Sequence, residues 1–254
     1  GIALGTIIAE WSTVIFAVWL IMRELNSRRA PGSEFWPRSR LLDAAALKKM
    51  LAANRDIMIR TLLLVFSFGF FINQSAQFGD VVLAANHILL QLISFAAFFL
   101  DGYAFVVESL VGSSVGARRR DSFDIAVKRS SILALVTATA LALLLLVFGD
   151  LAVAVLTDIE PVQTAAQESL FLAAIYIFFS FAAFQLDGVF IGASFTRQMR
   201  NAAFLSIAVF LAAWWILMDR FGVNGLWWAM IIYVAARADA LLLFYPALRK
   251  SIDH

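Results

Sequence analysis

Residues 131–149 read SILALVTATALALLLLVFG, a stretch that contains no charged side chain. An α-helix rises about 1.5 Å per residue, so this stretch approaches the length that crosses a bilayer core of about 30 Å. Five basic residues lie just before it, within 118–129, and Asp150 follows it directly. Because Lys and Arg remain on the cytoplasmic side of membrane proteins, the stretch predicts a membrane helix that runs outward from the cytoplasm.

The same alternation of charge extends along the whole chain. Eighteen of the twenty Lys and Arg residues fall in four blocks, 23–60, 118–129, 197–200 and 249–250. The connectors between these blocks are acidic or neutral. Hydropathy and length predict seven membrane spans, at approximately 1–22, 57–78, 82–110, 131–149, 169–194, 201–218 and 225–248. With the basic blocks inside, the C-terminus is predicted to be cytoplasmic.

The composition also indicates an integral membrane protein. The chain is 62% hydrophobic and 15% charged, with a mean hydropathy of +0.86, whereas soluble domains are about 45–50% apolar and about 25% charged. The net charge of +2 comes from the loops and not from one basic face, so nucleic acid is not a predicted partner. The chain has no cysteine, which excludes disulfides and thiolate metal sites.

The sequence does not predict an enzyme. Its two histidines, His87 and His254, lie far apart along the chain and form no metal-binding pattern. The Ser, His and Asp order of a nucleophilic triad is absent, and so is a glycine-rich phosphate loop. Neither a metal nor an organic cofactor is therefore predicted.

The segment 23–56 is the only long connector. It contains two prolines and then LLDAAALKKML at 41–51, which predicts a short amphipathic helix on the cytoplasmic membrane surface. A linker of this kind joins two halves of a transporter, although an ordinary long loop is the alternative. Because the chain begins inside an apolar segment, we expect 1–22 to be the final helix of a preceding half whose upstream part is missing. The segment 57–248 is then a six-helix bundle, and 249–254 is a cytoplasmic tail.

Five ionisable residues lie deep inside the predicted spans. They are ten to thirteen residues from the cytoplasmic end of their spans, and they are Glu10, Asp101, Asp187, Arg237 and Asp239. At about 1.5 Å per residue they lie about 15–20 Å from the cytoplasmic face, near the membrane midplane. Charges are costly at this depth and usually face the interior of a helix bundle or a water-filled cavity.

Arg237 is the cation of this layer, and it predicts an ion pair with a carboxylate on a neighbouring helix. Asp101 and Asp187 are the main candidates and Glu10 is a further one, whereas Asp239 lies on a different face of the helix of Arg237. Carboxylates left without a partner could titrate as their helices move between dry and wet surroundings. The predicted ion-coupling candidates are Asp101, Asp187, Glu108, Arg237 and Asp239. A structural Arg–Asp pair with permanently protonated acids is the alternative.

Polar residues at helical spacing mark the faces of three spans. In the span 82–110 they are His87, Gln91, Ser94, Asp101 and Glu108. In the span 169–194 they are Tyr176, Ser180, Asp187 and Ser194, and near the outer end of 57–78 they are Asn73, Gln74 and Gln77. Together these faces predict a polar substrate cavity with the candidates Asn73, Gln77, Gln91, Ser94, Tyr176 and Ser180. Interhelical hydrogen bonding that serves only packing is the alternative.

A short internal repeat links two of these spans. Leu100-Asp101-Gly102 and Leu186-Asp187-Gly188 lie in the third and fifth spans, which are both predicted to run inward. Three residues can recur by chance, so the repeat indicates only that the two segments lie at equivalent depth.

Several segments carry a family resemblance. They read NRDIMIRT (54–61), GDVVLAAN (79–86), LDGYAFVVESLVG (100–112), LDGVFIGA (186–193) and MRN (199–201). In this order, over about residues 40–250, they resemble the C-terminal half of the multidrug and toxic compound extrusion (MATE) family, in its DNA-damage-inducible F branch.

The resemblance implies an all-α integral membrane fold, in which 1–22 ends the N-terminal half and 57–248 is the C-terminal six-helix bundle of a twelve-helix transporter. It implies a location in the bacterial cytoplasmic (inner) membrane and export of cationic or amphipathic small molecules in exchange for H⁺ or Na⁺. The implied partners are the lipid bilayer and the missing N-terminal half. The best-known proton-linked acid of this branch lies in that half, so no residue of this chain inherits its role.

Two other functions remain open from the sequence. One is a lipid-linked saccharide flippase of the same superfamily, which should have a wider and more Arg-rich cavity than a single midplane Arg237 suggests. The other is an orphan half that acts as a membrane scaffold without transport of its own.

Overall fold

The computed structural model describes residues 2–27 and 43–253. Within these ranges the regular structure is helical, which confirms the predicted all-α class. The helices are α1 (Ile2–Ser27), α2 (Ala44–Ser75), α3 (Asp80–Gly116), α4 (Arg120–Leu156), α5 (Glu160–Gly192) and α6 (Thr196–Lys250). Short 3₁₀ turns cover Ala76–Phe78 and Ser251–Asp253. All six helices are long and apolar enough to cross a membrane.

The predicted amphipathic helix at 41–51 is not a separate element. Leu41 and Leu42 lie outside the described residues, and from Ala44 onward the segment forms the first turns of α2. Asp43 stands at the start of this helix, where its Oδ1 accepts hydrogen bonds from the backbone N–H groups of Ala45 at 2.9 Å and Ala46 at 3.4 Å. Such a cap satisfies N–H groups that have no partner inside a helix, and it explains why the helix begins here.

The chain divides into two compact units, Gly1–Lys49 and Met50–His254. In the first unit, the side chains of α1 that are described are almost all exposed, and the rings of Phe16 and Trp19 stack at 5.7 Å. The second unit holds the core, in which α5 is the most deeply buried helix. A helix that is apolar on all sides is expected at such a central position.

The helix α6 is 55 residues long, and a straight helix of that length would measure roughly 80 Å. It reverses at Gly222, whose φ of 55° and ψ of −129° are open to glycine but not to residues with a Cβ. The rings of Phe210 and Tyr233 are 5.3 Å apart, whereas 23 residues of straight helix would separate them by about 35 Å. The helix α6 is therefore a hairpin of two arms, and the predicted spans 201–218 and 225–248 lie one on each arm.

The helices α3 and α5 pack so closely that the backbone of one contacts the backbone of the other. A Cβ added to Gly188 would lie closer than 3.0 Å to the carbonyl oxygen of Ala104, and one added to Gly192 would lie as close to the carbonyl oxygen of Glu108. Small residues permit such an approach because no side chain separates the two backbones. This crossing places Asp101 and Glu108 of α3 in the same cavity as Asp187 of α5.

Candidate functional site

A cavity of about 510 Å³ opens between α2, α3, α5 and the second arm of α6, within the second unit. Its volume lies in the range of pockets that bind drug-sized molecules. The polar and ionisable residues of its wall are Arg60, Ser94, Asp101, Glu108, Tyr176, Ser180, Asp187 and Arg237. Of the eleven residues predicted for the site, seven line this cavity, and Arg60 is an addition.

Asp187 is the centre of the ionic contacts in this cavity. Its Oδ2 accepts a hydrogen bond from Nη2 of Arg237 at 2.6 Å, and a second from Nη2 of Arg60. The side chains of Asp187 and Arg237 are 12% and 10% exposed, so this pair is largely withdrawn from solvent. Of the carboxylates considered from the sequence, the structure therefore pairs Asp187 with Arg237. A buried charge needs such a partner because its desolvation is costly.

Arg60 was missed by the sequence analysis, which placed it in the cytoplasmic basic block. Its spacing along α2 indicates that it faces the bundle, because it lies on one helical face with three buried residues, Asp56, Ser67 and Phe71. A basic residue in line with buried residues points into a bundle. Asp56, one turn earlier, is already occupied by Arg200, whose Nη1 lies 2.7 Å from its Oδ1.

Asp101 and Glu108 lie on α3 at the same cavity but are held differently from Asp187. Both are partly buried. Within the described part of the chain, no hydrogen bond or ion pair joins Asp101 to another residue, although Arg60, Asp187 and Arg237 all act on it electrostatically. Two carboxyl groups of one cavity therefore have different surroundings, one fixed by two arginines and the other without a fixed partner.

Asp239 lies outside this cavity, apart from the other predicted ion-coupling residues. Two residues beyond Arg237 it lies on the opposite side of the helix, because successive residues turn by about 100°. Its side chain is exposed, in a shallow groove lined by Leu205, Val209 and other apolar residues.

Three amide candidates are also outside the cavity. Asn73, Gln77 and Gln91 are exposed. Gln77 donates a hydrogen bond from Nε2 to Oε1 of Gln74 at 2.9 Å. This is a local contact between residues three positions apart, at the C-terminal end of α2. Ser94, Tyr176 and Ser180 do line the cavity, and the hydroxyls of Ser94 and Ser180 each donate to a backbone carbonyl one turn earlier, at 2.8 and 2.7 Å.

A buried polar network joins α2, α3 and α6 away from the cavity. Trp227 is fully buried, and its Nε1 donates to Oδ1 of Asn86 at 3.0 Å. Asn86 donates in turn from Nδ2 to Oγ of Ser75 at 2.9 Å. The ring of Phe71 packs edge-on against Trp227 at 4.9 Å between centroids. Buried polar groups need such partners, so this network fixes how the three helices pack.

The described residues contain no group of three His, Cys, Asp or Glu side chains placed to hold a metal ion. Asp101 and Glu108 are separated by about 10 Å of helix rise.

Comparisons with known proteins agree with this architecture. The MatE family model matches residues 57–215. DNA damage-inducible protein F of Escherichia coli (strain K12) is 32% identical over 245 residues, which are 95% of this chain and 51% of that protein. The probable multidrug resistance protein NorM of Photorhabdus laumondii is 27% identical over 177 residues, which are 67% of this chain and 39% of that protein.

Solved structures show the same fold. The Vibrio cholerae MATE transporter VcmN in its bent form has a TM-score of 0.80 and 18% identity, over 93% of this chain and 53% of that one. A MOP superfamily transporter from Pyrococcus furiosus has a TM-score of 0.67 and 17% identity, over 78% of this chain and 44% of that one. The chain thus spans about half the length of the relatives that it matches.

The family match covers more than half of the chain, and the identity to the Escherichia coli protein extends over nearly all of it. The resemblance predicted from the sequence is therefore confirmed. The chain belongs to the MatE family, whose members are multi-pass membrane transporters and not enzymes.

Proposed function

We propose that this chain forms the C-terminal half of a secondary active exporter, which moves cationic or amphipathic compounds out of the cell in exchange for H⁺ or Na⁺ by alternating access. The observation that carries the proposal is the cavity in which Asp187 is held by Arg60 and Arg237 while Asp101 is not held. Carboxyl groups in membrane helices that face a cavity are typical of ion and substrate pathways.

The two carboxyl groups have different roles in this proposal. Asp187 is held in place by the guanidinium groups of Arg60 and Arg237, which both donate hydrogen bonds to its Oδ2. Asp101 has no such constraint, so it releases its proton when the cavity is wet and takes one up when the cavity is dry or when substrate has left. A cationic substrate and the coupling ion compete for the same ionised carboxyl group, and this competition produces exchange.

The proposal includes a second six-helix half, against which the cavity closes. Alternating access in transporters is largely a rocking of one bundle against another around a site near the midplane. The proposal also places the protein in the bacterial cytoplasmic membrane. In it, residues 1–22 are the last helix of the first half, 23–56 are the linker, 57–248 are the second bundle and 249–254 are the tail.

The test compares two carboxyl groups at similar depth in the intact transporter. Asp101→Asn is expected to fold normally and to lose most of the export that an imposed H⁺ or Na⁺ gradient drives, because the amide cannot titrate. The matched control is Asp239→Asn, which changes a carboxyl group outside the cavity and should export at the wild-type rate. Uptake of a fluorescent cation into inverted proteoliposomes measures both. Equal transport by the two variants and the wild type would show that coupling lies outside this chain.

The predicted orientation has its own test, which uses cysteines introduced into a chain that has none of its own. Arg119→Cys lies in the basic connector between α3 and α4, and Asp158→Cys lies in the acidic connector between α4 and α5; both side chains are exposed. A membrane-impermeant thiol reagent applied to intact cells is expected to label position 158 and not position 119. Labelling of position 119 from outside would reverse the proposed topology and place the C-terminus outside.

One observation keeps the flippase alternative in view. Arg237 was the only arginine predicted near the midplane, but Arg60 contacts the same carboxylate as Arg237. Both arginines are already engaged by Asp187, so a pyrophosphate would have to displace an ion pair. Transport of a fluorescent cation in the assay above separates the exporter from both the flippase and a scaffold without transport.

A further inference from the structure

A second cavity, of about 670 Å³, lies within the second unit near the reversal of α6 at Gly222. It is lined by α5 and by both arms of α6. A smaller cavity, of about 390 Å³, shares Ile232 with it and continues along the second arm as far as Leu243. The two cavities therefore form one groove, which we call the hairpin groove and which follows the second arm of α6 from Asn224 to Leu243.

The hairpin groove faces away from the ionic site described above. Trp228 lines the groove, and Arg237, which lines the ionic site, follows it by nine positions on the same arm. Nine positions turn a helix by about 900°, so the two side chains lie on opposite sides of it. Arg237 is buried, whereas Trp228 is 41% exposed and Phe171, on the α5 side of the groove, is 60% exposed. The groove is therefore an open surface of the second unit.

The hairpin groove changes from polar to apolar along its length. Glu168 and Asn224 line the end near the reversal of α6. From Asn224 to Ala235 the residues that the second arm contributes to the groove are otherwise apolar, and Asp239 lies one turn further on. Asn224 and Ala235 are separated by about 16 Å of helix rise, which is close to half of a hydrocarbon core of about 30 Å. A polar end above an apolar path of this length has the shape of one phospholipid in one leaflet.

The charges at the polar end favour an amine. Glu168 is the only ionisable residue in the described lining of the wider cavity, and no described residue forms an ion pair with it. Asp219 and Arg220 are exposed in the adjacent turn, where their formal charges cancel, so Glu168 leaves this end net negative. An anionic headgroup is repelled there, whereas a primary ammonium group brings three N–H donors to the carboxylate. The side-chain amide of Asn224 supplies donors for a phosphate.

We propose that the hairpin groove binds a phospholipid of the outer leaflet whose headgroup carries a primary amine. The ammonium group contacts Glu168, the phosphate lies at Asn224, and one acyl chain lies along Trp228 and Ile232. Hydrogen bonds between charged groups are stronger than neutral ones, so the ammonium contact dominates the choice of headgroup. A tryptophan at headgroup depth is typical of membrane interfaces. The choice of leaflet rests on the orientation proposed above, whereas the binding itself depends on neither orientation nor transport.

The headgroup preference is measured on the intact transporter. The protein is reconstituted into nanodiscs that contain equal amounts of phosphatidylethanolamine and phosphatidylglycerol with the same acyl chains, and is then extracted into mild detergent. Native mass spectrometry counts the lipids that remain bound. The wild type is expected to retain phosphatidylethanolamine about tenfold over phosphatidylglycerol, since a hydrogen bond to a charged group contributes about that factor. Equal retention, or an excess of phosphatidylglycerol, would overturn the proposal.

Variants of two carboxyl groups on α5 assign this preference. Glu168→Gln should retain the two lipids nearly equally, whereas Glu168→Asp, which keeps the charge, should keep part of the preference. Glu160→Gln removes an exposed carboxyl group two turns earlier on the same helix, outside the groove, and should leave the preference unchanged. Because the side chain of Glu168 is exposed, its replacement by glutamine is expected to fold normally. An undiminished preference in Glu168→Gln would contradict the assignment.

A second pair of variants tests the path of the acyl chain. Ile232→Trp places a large ring at the residue that the two cavities share, and it should lower the amount of retained phosphatidylethanolamine severalfold while Glu168 is intact. Ala235→Met obstructs the same path with a smaller side chain and serves if the first variant does not fold. Ile216→Trp adds the same ring at an exposed position of the first arm outside both cavities, and should retain lipid as the wild type does. Wild-type retention by a folded groove variant would show that the groove does not hold the lipid, and the proposal would fail.

These outcomes are separable from those of the proposed function, because retention is measured without an ion gradient. If Asp101→Asn exports normally while the wild type prefers phosphatidylethanolamine, the coupling proposal fails and the lipid site stands. If export depends on Asp101 and the two lipids are retained equally, the lipid site fails alone. If thiol labelling reverses the orientation, the assignment to the outer leaflet fails together with it.

Discussion

Replacing Asp187 with alanine is expected to lower the free energy of unfolding by about 3–5 kcal/mol, because it removes the carboxylate that two guanidinium groups share. A buried charge without its partner loses hydration and gains no compensating interaction. The loss should exceed that of Arg237→Ala, after which Asp187 still contacts Arg60. Unfolding in mixed micelles, followed through tryptophan fluorescence, measures these differences in the intact transporter.

The matched control is Asp101→Ala, the same substitution in the same cavity. Asp101 has no ion pair or hydrogen bond within the described residues, so this variant should lose less than about 1 kcal/mol. In the double variant Asp187→Ala with Arg237→Ala, part of the loss should be recovered, because one unpaired charge is removed with its partner. Equal losses for Asp187→Ala and Asp101→Ala would mean that the two arginines do not depend on Asp187.

Replacing Gly188 with alanine is expected to destabilise the bundle by about 1–3 kcal/mol, because the added methyl group meets backbone and not a mobile side chain. The atom it would meet is the carbonyl oxygen of Ala104, closer than 3.0 Å. The helices α3 and α5 can accommodate it only by moving apart. Since Asp101 and Asp187 lie on these two helices, gradient-driven export should fall together with stability.

The control for this prediction is Gly102→Ala, which adds the same methyl group to the other copy of the Leu-Asp-Gly tripeptide, on α3. A Cβ at Gly102 meets no heavy atom within 4 Å. The variant should be neutral or stabilising by up to about 1 kcal/mol, since alanine favours the helix more than glycine does. Thermal unfolding and proteoliposome transport of both variants check the pair, and equal behaviour would show that the close crossing does not limit packing.

Much of the architecture follows from properties that act along a single helix. Length, hydropathy and the side of the basic residues predict spans and their direction, because the bilayer is the same solvent for every helix. Each of the seven predicted spans overlaps one of α1 to α5 or one arm of α6, although most of these helices extend several residues beyond the predicted spans. The face that carries Asp101 and Glu108 was predicted in the same way, from helical spacing alone.

Contacts between helices could not be predicted from the properties of single helices. Arg60 was placed in a cytoplasmic block, since a basic residue has the same charge whether it lies in a loop or inside a helix. Trp227 lies near the start of a predicted span, yet it is fully buried and its Nε1 donates a hydrogen bond to Oδ1 of Asn86. Both depend on which helix is the neighbour, and the hydropathy of one segment contains no information about its neighbour.

The repeated Leu-Asp-Gly tripeptide shows where this division lies. Its two copies were predicted to lie at one depth, and both aspartates do line one cavity. Their identical local sequences nevertheless have opposite surroundings, with Asp187 held by two arginines and Asp101 by none of the described residues. Gly188 lies against the backbone of Ala104, whereas Gly102 meets open space. Depth is a property of one helix in a bilayer, but an ion pair or a close crossing belongs to two helices and exists only once they pack.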